Sequence, residues 1–357
     1  MNSTGRLALD GEYEEGEVPL LLRHAGMAEW VEDRVRILDR RGLPGTVRFI
    51  ECRSVEEVAH AIESMAIQGA FTLSLAAGYG LALAVATHAG PSHTLTAALD
   101  NAARRLIATR PTGLALSRMV AECQSAAGAA DAGRDAKIAA IVATVDAKAR
   151  RLARQALATA RHALPLIGSA DAILTHCFAD RSLLYLLLEA RRMKRSLRVY
   201  CSETRPYLQG ARLTAPAVLE TGHDATVVTD GMGGFLMRRA MVQAFITAAD
   251  RVCLDGTVCN KIGTYQHALA ARASNVPYYV LRQSGPDFES AGEADIEIEF
   301  RDAASVLEFM GTATSTSGVD ALYPAFDVTP HELVTAIVTD QGIFEPGDIG
   351  RYRPTPK

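Results

Sequence analysis

The sequence predicts an α/β protein in which a mainly helical N-terminal domain with a small β-sheet precedes a doubly wound, mostly parallel sheet. Two observations support this prediction. Beyond residue 168, apolar strand-like runs alternate with helix-like runs, as they do in parallel βαβ units. Between residues 54 and 164, apolar side chains instead recur at helical spacing, and alanine is frequent. The length of 357 residues suits two domains, because one domain usually takes about 100 to 200 residues.

The N-terminal domain, predicted at residues 1–150, begins with a polar, acidic stretch in which we expect no chemistry. Residues 35–38 and 46–50 alternate in polarity, as half-buried strands of a small antiparallel sheet do. Ser54 followed by Glu57 is a capping-box pattern, which predicts that a helix begins there. Alanine-rich and leucine-rich runs predict further helices at residues 70–89, 95–108 and 135–164.

The second domain, residues 151–357, is predicted to be a Rossmann-like sheet, and polar groups follow three of its strands. The strands and groups are residues 172–177 with Cys177, residues 196–200 with the segment 201–215, and residues 244–250 with Asp250. Lys261 follows shortly after the third strand, at the start of another predicted helix. Because open α/β sheets bind ligands at the carboxyl ends of their strands, we expect a binding site at this edge.

Composition and charge limit the class of function. The 48% hydrophobic and 22% charged fractions are ordinary for a globular protein, and no apolar run is long enough to span a bilayer. There is no signal-peptide pattern, so we expect a cytoplasmic protein without a membrane partner. A net charge of -4 gives no general attraction for nucleic acid. A small phosphorylated ligand, held by a local basic pocket, fits this balance better than a polyanion.

The six cysteines form no Cys-x-x-Cys pair and lie in apolar segments, so we expect reduced thiols. The turn Gly231-Met-Gly-Gly234 is similar to a dinucleotide-binding turn, but Leu236 stands where the third glycine is needed. We therefore expect no nicotinamide cofactor. No cluster of His, Asp and Glu has metal-ligand spacing either, so no metal is expected.

Ordered motifs run through nearly the whole chain, from about Arg36 to Gly342. They are Ile67-Gln-Gly-Ala70, Ala76-Ala-Gly-Tyr-Gly80, Arg110-Pro-Thr112, Leu174-Thr-His-Cys177, Glu203-Thr-Arg-Pro206, Gln209-Gly210, Arg212-Leu-Thr-Ala215, Thr229-Asp-Gly-Met232, Ala249-Asp-Arg251, Asn260-Lys-Ile-Gly-Thr264 and Tyr323-Pro-Ala-Phe-Asp-Val-Thr-Pro330. In this order they resemble the motifs of the methylthioribose-1-phosphate isomerase family. The same superfamily contains ribose-1,5-bisphosphate isomerases and the regulatory subunits of eukaryotic initiation factor 2B, so membership does not by itself decide activity.

The resemblance implies a cofactor-free, homodimeric aldose-ketose isomerase of methionine salvage, in which Cys177 is the catalytic thiol and Asp250 the catalytic acid. The position of Cys177 between a strand and a helix favours a lowered thiol pKa, because free amide N–H groups and the helix dipole stabilise a thiolate. For phosphate and sugar contacts the resemblance points to these residues: Gln68, Gly69, Ala70, Arg110, Gln209, Asn260 and Lys261. Whether hydrogen moves as a proton or as a hydride stays open.

Nearby polar residues have other expected roles. We expect Glu203 and Arg205 to form a structural ion pair, and His176 to be a hydrogen-bonded core histidine. Asp230 either supports the site from behind or binds a sugar hydroxyl.

The chain departs from the family pattern around the expected pocket. Gln68 stands where the family has arginine, and Phe71 where it has proline. Phe178 and Asp180 replace the usual Asn and Gly after the cysteine, and Tyr323 replaces an asparagine. Ala115 also replaces a common asparagine.

Three hypotheses follow from this pattern. The first is methylthioribose-1-phosphate isomerase. The second is an isomerase of another 5-substituted or 5-deoxy ribose 1-phosphate, or of another sugar phosphate. The third is a regulatory subunit that binds a sugar phosphate or nucleotide without turnover. Retention of Cys177 and Asp250 argues against the third, and the loss of arginine at position 68 argues mildly against the first.

Overall fold

The structure is a computed structural model that describes residues 7–111, 113–130 and 133–354. The chain forms two compact units, which divide between Arg154 and Gln155. The division falls within one 30-residue helix, Arg134–Ala163, which contributes to both units. Among the described residues, no helix is both long enough and apolar enough to cross a membrane.

The first unit combines a three-stranded antiparallel sheet with helices. The sheet has the order β1-β2-β3. Its strands are β1 (Ala28–Val31), β2 (Arg34–Leu38) and β3 (Phe49–Cys52). The helices are α1 (Val55–Glu63), α2 (Ala70–Ala86), α3 (Leu95–Ala108), α4 (Leu114–Ala129) and α5 (Arg134–Ala163). The predicted small sheet is confirmed, although the sequence did not reveal its first strand.

Local sequence explains how the helices of this unit begin and pack. Ser54 Oγ accepts a hydrogen bond from Glu57 N, and Ser54 N donates to Glu57 Oε2, so the predicted capping box is confirmed. Helix α2 is buried on nearly all sides, which its all-round apolar sequence favours. A Cβ at Gly78 would lie 2.6 Å from a Val145 methyl group, so only glycine allows this close packing of α2.

The second unit contains a seven-stranded sheet of order β15-β14-β10-β7-β4-β5-β6. All neighbouring strands are parallel except β14 and β15. The strands are β4 (Ala172–His176), β5 (Arg198–Ser202), β6 (Asp224–Val228), β7 (Ala244–Ala248), β10 (Tyr278–Leu281), β14 (Ala336–Thr339) and β15 (Gly342–Phe344). The helices are α6 (Asp180–Arg192), α7 (Ala215–Glu220), α8 (Gly233–Arg238) and α9 (Thr264–Ala273). This arrangement confirms the predicted mostly parallel sheet.

Short antiparallel strands extend this unit beyond the main sheet. A second sheet has the order β13-β9-β8, and β11 pairs with β12. These strands are β8 (Arg251–Val252), β9 (Val258–Lys261), β11 (Glu308–Phe309), β12 (Thr312–Ala313) and β13 (Phe326–Thr329). Asn260 and Lys261 therefore end a strand, whereas the sequence placed them at a helix entrance.

The C-terminal segment belongs to the second unit. A 3-10 helix covers Pro346–Arg351. Ile349 and Tyr352 are fully buried in the core of the second unit. Burial of these two apolar side chains ties the segment down.

Candidate active site

The expected catalytic residues lie where the strand order of the large sheet reverses. From β4 the chain proceeds to β5 and β6 on one side, and then to β7, β10 and β14 on the other. Such a switch point leaves a crevice at the carboxyl ends of the two central strands, which is where α/β sheets bind ligands. Cys177 directly follows β4, and Asp250 follows β7 by two residues.

The backbone at Cys177 is held in a strained conformation. Its φ angle is 63°, in the left-handed region that non-glycine residues rarely adopt. A hydrogen bond fixes this conformation, because Cys177 N donates to Thr204 Oγ1 at 2.9 Å. Thr214 Oγ1 donates to the Cys177 carbonyl at 2.7 Å. Strain of this kind persists only where surrounding contacts enforce it, and it is concentrated at functional sites.

Both threonines belong to the polar segment that follows β5. Thr204 and Leu208 also have positive φ angles, 66° and 67°, so this segment shares the strain of Cys177. A π-helix covers Gly210–Thr214. A Cβ at Gly210 would lie 1.7 Å from the Ser202 carbonyl oxygen, so the segment can pass there only with glycine.

The electrostatic surroundings keep Cys177 protonated. Burial raises the pKa of its thiol from 9.0 to about 11, and the Asp250 carboxylate adds to the rise. The Lys261 ammonium acts in the opposite direction but is outweighed. The lowered thiol pKa that the sequence favoured is therefore wrong for the free protein. Removal of the sulfur from water has a larger effect than the nearby positive charges.

Asp250 is the carboxylic acid of the site. The residue is exposed to solvent, yet desolvation by the surrounding protein raises the pKa of its carboxyl, because it disfavours the charged form. The charges of Lys261 and two arginines oppose this rise. The neighbouring Arg251 is directed elsewhere, since it donates to Ser290 Oγ at 3.4 Å and to the Asp295 carbonyl at 3.0 Å.

Lys261 is the buried cation of the site. It is 4% exposed, its Nζ donates to the Ala325 carbonyl at 2.9 Å, and it lies 4.8 Å from the centroid of the Phe326 ring. Burial lowers the pKa of its ammonium, while Cys177 and Asp250 act in the opposite direction. These mutual effects mean that thiol, carboxyl and ammonium are within electrostatic reach of one another.

Two predicted binding residues flank this group. Asn260 is buried beside Lys261, and its Nδ2 donates to Thr264 Oγ1 at 3.1 Å. Gln209 is buried at the start of the π-helix, on the segment whose threonines hold the backbone of Cys177. The second unit therefore brings five of the predicted site residues to one edge of its sheets.

Asp230 supports the polar segment from behind. Its Oδ1 accepts hydrogen bonds from Ser202 Oγ at 2.7 Å and from Thr204 N at 2.8 Å. Its Oδ2 accepts from Arg205 N at 2.8 Å. These bonds favour the supporting role over direct contact with a sugar hydroxyl. His176 is fully buried, with Nε2 2.8 Å from the Ile262 carbonyl, so the predicted hydrogen-bonded core histidine is confirmed.

The expected ion pair between Glu203 and Arg205 is not present in this part of the structure. Arg205 Nη2 instead donates to the carbonyls of Val306 and Glu308, each at 3.0 Å, and its guanidinium lies 5.3 Å from the Phe309 ring. Backbone carbonyls satisfy the arginine without a carboxylate. Burial, with the nearby Asp230 charge, raises the pKa of the Glu203 carboxyl.

The remaining predicted residues lie in the first unit, around the start of α2. Gly69 has a φ angle of 89° and precedes the first helical residue, Ala70. Gln68 is buried, and its Nε2 donates to the Met65 carbonyl at 3.3 Å. Arg110 donates to the Ile62 carbonyl at 3.3 Å and contacts the Met65 sulfur, so it lies near Gln68. Thr112, the last residue of the Arg-Pro-Thr motif, falls outside the described residues.

A family model for initiation factor 2 subunits matches residues 66–346. The chain belongs to this initiation factor 2 subunit family. It is 39% identical over 342 residues to a methylthioribose-1-phosphate isomerase of Chloroflexus aurantiacus, covering 91% of this chain and 96% of that protein.

Two solved structures show the same similarity. One is 5-methylthioribose 1-phosphate isomerase from Pyrococcus horikoshii, with a TM-score of 0.78, 28% identity and coverage of 91% of this chain and 94% of that one. The other is the delta subunit of translation initiation factor eIF-2B from A. fulgidus, with a TM-score of 0.76, 31% identity and coverage of 91% and 99%. The initiation factor 2 subunit family thus includes proteins named as enzymes and proteins named as factor subunits.

The motifs quoted from the sequence did not reveal one residue of the site, Arg301. Its charge acts on Cys177, Asp250 and Lys261. Arg301 lies in a stretch with no recognisable motif. The nearest sequence signal is Tyr323, which departs from the family pattern and is hydrogen-bonded to Arg301. Only the folded chain brings these two segments together.

Other features do not compete with this site. Among the residues that the structure describes, no three His, Cys, Asp or Glu side chains converge as a metal site would require. A cavity of about 350 Å³ opens at the opposite edge of the large sheet. It is lined by the residues Asp171, Ala172, Ser196, Leu197, Arg198, Tyr200, Asp224, Met241 and Gln243. It contains no thiol, and its one cation, Arg198, lies 3.9 Å from Asp224.

Proposed function

We propose that this protein is an aldose-ketose isomerase of methionine salvage, which converts 5-methylthioribose 1-phosphate into 5-methylthioribulose 1-phosphate. The second unit carries the chemistry, and Cys177 and Asp250 are the reacting pair. The observation that carries the proposal is the meeting of a strained thiol, a carboxyl of raised pKa and a buried lysine at the switch point of the sheet. The isomerases among the relatives, named for this reaction, support the choice of substrate.

Ring opening is the first chemical demand. The anomeric oxygen of the substrate carries phosphate, so the ring cannot open spontaneously to an aldehyde. The bond from C1 to the ring oxygen breaks most readily when that oxygen receives a proton. Asp250 supplies the proton, because its raised pKa favours the neutral carboxyl that can donate it.

Hydrogen must then move from C2 to C1, and two routes use the same pair. In the proton route, Cys177, which is protonated in the free protein, first releases its thiol proton to water. The thiolate then removes the proton from C2 while a C1–C2 double bond forms and the ring C1–O bond breaks. Protonation at C1 and loss of the 2-hydroxyl proton then leave a ketone at C2. In the hydride route, hydrogen migrates with its electron pair from C2 to the opened, electron-poor C1, and a base removes the 2-hydroxyl proton.

The polar groups of the second unit bind the sugar phosphate. Lys261 supplies a point charge, and Asn260 and Gln209 supply buried amides. The family resemblance also assigns substrate contacts to Gln68, Gly69, Ala70 and Arg110, which lie in the first unit.

Turnover of 5-methylthioribose 1-phosphate, followed by the appearance of its ribulose product, tests the proposal. Cys177→Ser and Asp250→Asn should each abolish turnover and leave the circular dichroism spectrum unchanged. Product formed in deuterated water separates the two routes, since the proton route incorporates deuterium at C1 and the hydride route does not. Full activity in both variants would show that Cys177 and Asp250 are not the reacting pair.

Two alternatives have their own discriminating outcomes. Gln68 and Phe71 depart from the isomerase family pattern, which favours a different sugar phosphate as the substrate; 5-deoxyribose 1-phosphate and ribose 1,5-bisphosphate are the comparison substrates. The resemblance to a factor subunit favours a regulatory role without turnover. Tight binding of one sugar phosphate with no turnover of any would support that role.

We further propose that the protein is a cytoplasmic homodimer without a nucleic-acid partner. An apolar face on α8 and α9 exposes Phe235, Leu269 and Tyr265, which are 59%, 44% and 39% exposed. Phe235→Glu should convert the dimer to monomer in sedimentation velocity, while Met193→Glu, an equally exposed site at the end of α6, should not. The reducing cytoplasm would keep the six free thiols reduced.

A further inference from the structure

The backbone places Arg301 beside the buried lysine of the active site. Arg301 N donates to the Tyr323 carbonyl at 2.9 Å, and Ala325 N donates to the Glu299 carbonyl at 2.8 Å. These bonds form a short antiparallel ladder. Ala325 also contacts the lysine, because its carbonyl accepts the hydrogen bond from Lys261 Nζ. The position of Arg301 relative to Lys261 is therefore set by main-chain hydrogen bonds and not by a flexible loop.

The guanidinium of Arg301 is also held in orientation. Arg301 Nε donates to Glu299 Oε1 at 2.8 Å. The Arg301 side chain is also hydrogen-bonded to the Tyr323 hydroxyl. The Arg301 side chain is only 19% exposed. Tyr323 itself is buried, so its hydroxyl cannot exchange this partner freely for water.

Two cations consequently share one aromatic ring at the edge of the crevice. Lys261 Nζ lies 4.8 Å and the Arg301 guanidinium carbon 5.6 Å from the Phe326 centroid. Placing like charges so close together is costly at low exposure unless an anion balances them. Glu299 forms an ion pair with Arg301, whereas Lys261 donates to a neutral carbonyl and has Asp250 and Glu299 only within electrostatic reach. The two cations, Lys261 and Arg301, can therefore bind an additional anion.

We propose that Arg301 is a phosphate-binding residue of this site, which acts together with Lys261, and that Glu299 and Tyr323 position its guanidinium. This inference rests on the proposed isomerase function. The substrate phosphate is attached to C1, the carbon that reacts, so an arginine within reach of the reacting thiol and carboxyl is also within reach of that phosphate. A guanidinium fixed at one edge can present its other N–H groups to two oxygens of the phosphate.

Four variants test this assignment. Arg301→Met removes both the positive charge and the paired N–H donors of the guanidinium. Arg301→Lys keeps the charge but not the paired donors. Tyr323→Phe removes the positioning hydroxyl. Arg192→Met is the control, because Arg192 is an exposed arginine that pairs with Glu189 on the surface. Thermal melting of each variant shows whether it remains folded.

Two measurements give the expected results. Titration calorimetry with inorganic phosphate should show that Arg301→Met weakens binding by about tenfold to a hundredfold, the range for a lost hydrogen bond to a charged group. Arg301→Lys and Tyr323→Phe should give smaller losses, and Arg192→Met none. In turnover, KM for the sugar phosphate should rise by a similar factor while kcat changes less, since the phosphate is bound before and during the reaction.

The outcomes separate this inference from the proposed function. Unchanged phosphate affinity and KM in a folded Arg301→Met variant, whether or not its melting temperature falls, would show that Arg301 is only structural. If Arg301→Met does not fold, unchanged values in Arg301→Lys would rule out the bidentate contact with phosphate. If the native protein turns over no sugar phosphate, the isomerase proposal fails, but the phosphate titration still decides the role of Arg301.

Discussion

Alkylation of Cys177 tests whether the active-site thiol is protonated in the free protein. Burial moves its pKa from 9.0 to about 11, so at pH 8 the thiolate fraction is about a hundredfold smaller than that of an ordinary cysteine. The thiolate is the reacting species. We therefore expect iodoacetamide to modify Cys177 about a hundredfold more slowly than free cysteine at pH 8. The rate should keep rising about tenfold per pH unit up to at least pH 10.

The other cysteines provide little background, because all five are buried whereas Cys177 is partly exposed. Mass spectrometry of the peptide that contains Cys177 gives its rate, and Cys177→Ser measures what the others contribute. The slope against pH separates protonation from limited access, since poor access lowers the rate equally at every pH. A rate that levels off near pH 7 would refute the reasoning and favour the thiolate that a helix N-terminus stabilises.

Three further predictions follow from named contacts. Lys261→Met should slow alkylation of Cys177 at pH 9 by a further tenfold or more, on the order of the effect of one nearby opposite charge; an unchanged rate would mean that the two groups are not coupled. Gly210→Ala should lower the free energy of unfolding by about 2 kcal/mol or more, because its Cβ would overlap the Ser202 carbonyl. Gly128→Ala, in open space on α4, should be neutral or slightly stabilising in the same urea titration. Arg41, with Arg48, holds the pKa of the buried Asp39 carboxyl well below its ordinary value. That stabilisation is present above the unfolded pKa and lost as pH falls, so Asp39→Asn should be more destabilising in urea at pH 7 than at pH 3.

Local patterns in the sequence were enough to place the two expected catalytic residues. Apolar runs of strand length end just before Cys177 and near Asp250, and alternation of strands with helices implies a parallel sheet. In a parallel sheet all carboxyl ends lie at one edge, so these residues had to share that edge wherever their strands were placed. The capping box at Ser54 is local in the same sense, because its partners are three residues apart.

Contacts between distant segments decided the rest. The strand β9, which carries Lys261, pairs with β13, and more than 60 residues separate the two strands in the sequence. No periodicity in either segment predicts that pairing. The position of Arg301 depends on the same long-range pairing.

The sequence by itself determined the fold class and the edge of the sheet at which Cys177 and Asp250 lie. The tertiary structure alone decided the charge state of the thiol and the partners of Arg205 and Arg301. The physical reason is that strand and helix patterns depend on residues that are close in the sequence, whereas a pKa depends on every group that folding brings near. Burial and opposing charges act on Cys177 from segments far apart in the chain, and their balance exists only once these segments are packed together.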